Sequence, residues 1–491
     1  MLSPPESSST SYAEAKYREI NTLDTYIALK RSHELGLAVA DQERENKRKR
    51  SESESTSKVD EGETITQTPI EEEELIESDG LRLSGHELTL MTLVKRKAVK
   101  LHKRYSELNT ATQKFTFLAL NSMLDLSSSD HKKFYDVDDT TFQEVSSKFD
   151  VDFEETHEAT EKHREVIAKD VEKCEKNISK GFKAMNDAEE NRKLKRLFAE
   201  SLAHLCAVDP EERRVYRIYM HIMELHAFRE KTLESWTHMS EADVVNKLFS
   251  PIIEAVFEGS RLNTVWYILR SLRNPDRLLT ACKRGETGSN ASTTVARALK
   301  HFSDVTRGTL KVDLRLVCQQ GSDFDMANAE FAKDGNIKKS TADGTKVSVE
   351  GKCIFDAMVE RCGMTFSEAR NLTIANLQVC GLKGVLVFVT MVAPGVYVTK
   401  KSATIMQFPA AKSKIKAFFR TGLPLLFQMR DMAEGNARLL RARANVDRSV
   451  FGSRSPTPES TFLRGTWLGP KPSMPRKVPA LPSSFVLREY K

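Results

Sequence analysis

The sequence predicts an α/β fold, a mixed sheet flanked by helices, preceded by a helical region and a disordered N-terminal arm. Three observations carry this. Residues 385–392 form an unbroken apolar run, the pattern of a strand buried on both faces. Residues 310–318 alternate apolar with polar side chains at the period of a strand. Val244, Leu248, Ile252, Val256 and Phe257 recur at helical spacing behind Ser240, which opens a Ser-x-x-Asp capping box with Asp243.

In chain order, residues 1–83 form a charged arm. Its stretches rich in Ser, Thr and Glu hold few aromatics, too little apolar surface to offset the entropy of ordering. Eleven acids against the single base Lys58 in residues 51–80 give way to six bases and no acid in residues 94–104, so charge comes in blocks. The whole chain carries only +6, which excludes a global pull toward nucleic acid. Within the arm, Lys47-Arg48-Lys49-Arg50 is a compact basic cluster that an import receptor could grip in extended form; it predicts the nucleus, with the cytoplasm as the alternative.

Residues 84–235 read as a helical region. Leu88, Met91 and Val94, then Phe115, Leu118 and Leu124, space out a helical hairpin over residues 84–126. Residues 150–235 are charged with sparse apolar positions, which predicts long helices able to recruit protein partners; the heptad register is not sustained, so a coiled coil is the lesser alternative. No apolar run reaches the roughly 18–20 residues of a membrane span, and the Ser/Pro-rich start is not a signal peptide, so no membrane partner is expected. Seven scattered cysteines without a C-x-x-C spacing read as reduced thiols. His204, Cys206, His221 and His226 invite a zinc reading, yet His221 and His226 are five apart and do not share a helical face.

The main domain is expected over residues 236–445. Residues 264–269, 310–318 and 326–333 read as strands, 346–362 and 367–380 as helices, and 385–392 as a strand that Ala393-Pro394-Gly395 turns into another at 396–399. Residues 412–443 read as helices. Residues 285–292 read as a loop without the Lys-Ser/Thr ending of a phosphate-binding P-loop. Residues 446–491 form a Pro-rich basic tail.

Two strands carry the candidate chemistry. Period two places Lys311, Asp313 and Arg315 on one strand face, and Glu330 on the next strand could stand beside Asp313. Two neighbouring carboxylates make a hard oxygen site suited to Mg²⁺. The plainer alternative is a solvated strand face with cross-strand ion pairing. Lys338, Lys339, Lys346 and Lys352 would suit a phosphate backbone or serve as ordinary surface charges.

This order of elements resembles the PD-(D/E)XK (restriction-endonuclease-like) nuclease superfamily, as found in uncharacterised multi-copy fungal proteins. The resemblance implies a restriction-endonuclease-like core acting on DNA or RNA with Mg²⁺. It matches Asp313 and Glu330 to the metal ligands, Lys333 to the lysine that steers the attacking water, and Glu254 to the helix acid that completes the metal site. Glu330 and Lys333 are three apart, whereas the family's pair is two apart, so a regular strand would point them to opposite faces unless a bulge intervenes. Two functions follow: metal-dependent phosphodiester hydrolysis, or a catalytically inactive module that binds nucleic acid or protein.

Overall fold

The computed structural model describes residues 80–82, 88–128, scattered positions within 130–147, 210–266, 289–298, 309–319, 323–333, 336–449, 462–470, 478–479 and 481. The expectations for Lys47 to Arg50, for most of the arm, for residues 148–209 and for His204 and Cys206 lie outside the described residues.

The described chain opens with two helices, α1 (Leu90–His102) and α2 (Thr110–Leu120), followed by β1 (Met123–Asp125). Both helices start on side-chain caps: Thr89 accepts from the Thr92 N–H and Asn109 from the Thr112 N–H. Further along come α3 (Pro210–Phe228) and a helix, α4, built from Glu241–Val244, a π turn Val245–Phe249 and Ser250–Val256. Ser240 caps α4 by accepting from the Asp243 N–H at 3.1 Å, and Val244, Leu248, Ile252, Val256 and Phe257 are all buried, as their spacing requires. Then follow β2 (Leu262–Trp266), α5 (Asn290–Ala298), β3 (Leu314–Gln319), β4 (Asp323–Ala332) and the long α6 (Ile337–Cys362). After α6 come α7 (Phe366–Ala369), β5 (Ile374–Cys380), β6 (Lys383–Ala393), β7 (Val396–Lys401) and β8 (Met406–Gln407). The last helix, α8, runs through Ile415–Ala417, a π turn Phe418–Gly422 and Leu423–Ser449.

One mixed sheet of eight strands unites these pieces in the order β1-β7-β6-β5-β4-β3-β2, with β8 added to β6. Two antiparallel meanders, β2-β3-β4 and β5-β6-β7, meet in parallel at β4 and β5, and α6 makes the crossover that a parallel pair requires. α6 and α8 both pack on β4, β5 and β6. α6 approaches closely because two of its residues have no side chain. A Cβ at Gly344 would lie 2.9 Å from Gln378 Oε1, and one at Gly351 would lie 2.7 Å from Asn376 Nδ2 and Val389 Cγ2.

Three expectations change. Residues 367–380 are not one helix but the short α7 followed by β5. Asn376 and Gln378 are buried polar residues under α6, so the strand lacks the outward polar face that alternation would reveal. The boundary at 235/236 does not separate bodies, since β1, beyond the helical hairpin, pairs with β7 of the main sheet. The described residues after 446 are not an extended tail: α8 continues to Ser449, and Phe462, Trp467 and Leu468 are buried in the core. Trp467 is held among His102, Tyr105 and Phe117, and Asn121 both donates to its carbonyl and accepts from its N–H.

Candidate functional site

Asp313 lies one residue before β3 and locks onto β4 around Glu330. Its own N–H donates to Ala329 O at 3.2 Å, and its Oδ2 accepts from the Phe331 N–H at 2.7 Å. Glu330, flanked by those two residues, is buried and sits 2.6 Å from Lys346 Nζ of α6. The contact is a charge-assisted pair between the ammonium and the carboxylate. Asp343, one helical turn before Lys346, has a buried Oδ2 with no hydrogen-bond partner. Glu241, the first residue of α4, pairs with Lys339 and accepts from the Lys333 N–H at 3.2 Å.

Burial governs the electrostatics. It pushes Asp313 up to about 6, against the pull of the Phe331 N–H and Lys346, while Glu241 and Asp343 push the same way as burial. Glu330 is driven well above the usual carboxylate range, first by burial and then by Asp313 and Asp343, with Lys346 opposing. Burial raises Asp343 as well, with Lys346 and Lys339 opposing. Two desolvated carboxylates, Asp313 and Glu330, therefore share the ammonium of Lys346 with the half-buried Asp343, a spare negative charge that a low dielectric makes costly, while Glu241 and Lys339 pair at the exposed rim.

The structure brings Asp313 and Glu330 into one electrostatically coupled pocket. It corrects the other two assignments. Lys333 sits just beyond the end of β4, where its backbone is tied to Glu241, and the ammonium paired with Glu330 belongs to Lys346. Glu254 lies on the exposed side of α4, accepting from Ser250 Oγ at 3.2 Å, whereas the α4 acid that acts on Asp313 is Glu241. The solvated-face alternative also changes: Lys311 is exposed, but Arg315 is buried and bound to Asp325 at 2.6 and 2.7 Å. Asp325 in turn accepts from Ser289 Oγ and the Ala291 N–H at the start of α5.

Sequence reasoning thus missed Glu241 and Asp343 and treated Lys346 only as a phosphate-suited charge. The available signal was the spacing of Asp343, Lys346 and Glu350 along one helical face that also carries Val347, polar groups on a face that must meet a sheet. Glu350 extends the polar layer inward, accepting from Asn328 Nδ2 at 3.2 Å. The zinc reading gains nothing from the described residues: His226 Nε2 meets Pro409 O at 2.8 Å, its pKa lowered mainly by burial.

No family model matches the chain, and neither curated proteins nor solved structures yield a match. Among the described residues no helix is long and apolar enough to cross a membrane. Among them, too, no three His, Cys, Asp or Glu side chains stand grouped as a complete metal-ligand set.

Proposed function

We propose that α4, β2, β3, β4, α6 and β5 form a restriction-endonuclease-like core that hydrolyses phosphodiester bonds of DNA or RNA with Mg²⁺. The order α4, β2, α5, β3, β4, α6 and β5, with β2, β3 and β4 antiparallel and β5 parallel to β4, supports this reading. The observation that carries it is the shared burial of Asp313 and Glu330 beside Lys346. Whether a divalent cation suits these residues can be judged from the oxygens. Asp343 Oδ2 is a buried acceptor without a hydrogen bond, and Asp313, Glu330 and Asp343 face the single ammonium of Lys346. Mg²⁺ commonly binds through one or two carboxylates and completes its shell with water and phosphate oxygens. The residues fit on that basis.

Asp313 and Glu330 are the residues that would hold the cation. When bound, it would lower the pKa of a water molecule and offset charge developing on the phosphate. Lys346 neutralises Glu330 in the resting protein and, on a flexible stem with three donors, is placed to move onto a phosphate oxygen. The Phe331 N–H fixes the orientation of Asp313, and Asp343 keeps the ammonium of Lys346 in the pocket by charge attraction. The Lys47 to Arg50 cluster supports action in the nucleus.

The ion pair between Lys346 and Glu330 favours a second reading, in which the ammonium takes the place of a metal permanently and the domain only binds. Incubation of the full chain with supercoiled DNA or single-stranded RNA in Mg²⁺ or Mn²⁺ separates the two. Hydrolysis predicts cleavage that Asp313→Ala abolishes and Lys346→Ala slows by about 10²-fold. Cleavage that survives Asp313→Ala comes from a contaminant and defeats the hydrolytic reading; binding without cleavage, weakening steeply with salt, supports the second.

A further inference from the structure

We infer that Gln378 belongs to the same site as a metal-binding residue, supplying a neutral amide oxygen to a divalent cation held at Asp313 and Glu330; the inference rests on the hydrolytic reading above. Gln378 is the register partner of Glu330 across the parallel ladder of β4 and β5. Residues directly paired on neighbouring strands project to the same side of a sheet, so both side chains lie under α6. Only 3% of Gln378 is exposed.

Its two amide ends are treated differently. Nε2 donates to Ser340 O of α6 at 2.6 Å, which fixes the side chain, while the buried Oε1 has no donor. Asn376, two residues earlier on the same face, shows what a purely structural amide looks like here. Its Oδ1 accepts from the Asn328 N–H at 2.7 Å and its Nδ2 donates to Val347 O at 3.1 Å, leaving neither end unmatched. A buried acceptor without a donor is an expense that folded proteins seldom retain without a purpose. Gly344 lets α6 lie directly on this amide, since a Cβ there would stand 2.9 Å from Oε1 and 3.1 Å from Nε2.

The chemistry of the pocket explains why an amide suits this position. Hard divalent cations accept carboxylate, amide carbonyl and water oxygens alike. The site already holds Asp313, Glu330 and Asp343 against Lys346, so a further carboxylate would add repulsion, whereas an amide adds an oxygen without charge.

Mn²⁺ titration of the full chain, followed by calorimetry and by the electron paramagnetic resonance signal of the free ion, tests this together with thermal melts. Gln378→Leu is expected to weaken Mn²⁺ binding about tenfold. Gln378→Glu, which keeps an oxygen but loses the donor to Ser340, is expected to melt lower than wild type without metal, to bind Mn²⁺ at least as tightly, and to gain more thermal stability from it. Wild-type affinity in Gln378→Leu, or equal metal-independent destabilisation in both variants, overturns the role of Gln378 and leaves the hydrolytic reading standing. If the wild-type chain binds no Mn²⁺, the metal reading fails and takes this role with it.

Discussion

Glu350 is a buried carboxyl whose proton affinity lies far above its ordinary value. Burial lifts it to about 8, helped by Asp325 and opposed by nearby Ser289, Ser292 and Lys346. In the unfolded chain the same carboxyl ionises near 4.5. The folded state therefore binds the extra proton between those values. Its stabilising effect is complete below about 4.5 and is lost as pH rises toward about 8. Gln at this position keeps the shape and the acceptor for Asn328 without a titrating group. Glu350→Gln should thus flatten the fall of melting temperature between pH 5 and 8, and gain on wild type at the upper end; parallel melting curves for the two proteins would show that Glu350 does not titrate in this window.

At the level of elements, α6 decides where the site lies, because it carries Asp343 and Lys346 to the carboxylates and rests on β5 through glycine. Gly351→Ala sets two effects against each other. Alanine is favoured in a helix interior by about 1 kcal/mol, but its Cβ would stand 2.7 Å from Asn376 and Val389, and overpacking typically costs about 1–3 kcal/mol. The clash should prevail, since one neighbour is fixed by hydrogen bonds and the other is a stiff β-branched side chain. Urea unfolding should record a net loss, and a gain in stability would mean that α6 can slide on the sheet.

These elements also mark how far the sequence could be read. The apolar run at 385–392 and the alternation before Cys318 found β6 and β3, because one-dimensional periodicity reports on whether a strand is covered. Ser240 found the start of α4 through a local capping signal. β5 escaped because its buried face is polar, and polarity is read as exposure unless partners such as Val347 O and Ser340 O are known. Asp313 and Glu330 could be picked out because strand spacing places them. Lys346 and Glu241 could not, since they arrive from helices whose approach depends on Gly344, Gly351 and tertiary packing. The π turn at Val245–Phe249 adds a residue per turn within α4, which alters the facing of Glu241 relative to Glu254 beyond what a 3.6-residue period conveys.

For the molecule as a whole, the segment at 462–470 is a structural part of the domain. Lys352 of α6, fully buried, donates to Asp356 Oδ2, Arg464 O and Thr466 Oγ1 at 2.6 to 2.8 Å and lies 4.5 Å from the centre of the Tyr397 ring. Lys352→Met would leave Asp356 as a buried carboxylate without its counter-charge, at a cost of about 3–5 kcal/mol. Denaturant unfolding of the full chain checks this, and a loss below about 1 kcal/mol would show the pair to be dispensable.

The reciprocal bonds between Asn121 and Trp467 join positions 346 residues apart. During synthesis, the helices made early must wait for a stretch translated far later before their aromatic socket is filled, so the core closes only once Trp467 has left the ribosome. A nonsense codon placed ahead of Phe462 would accordingly yield an unfinished fold exposed to cellular proteases, even though every residue of the candidate pocket had been made.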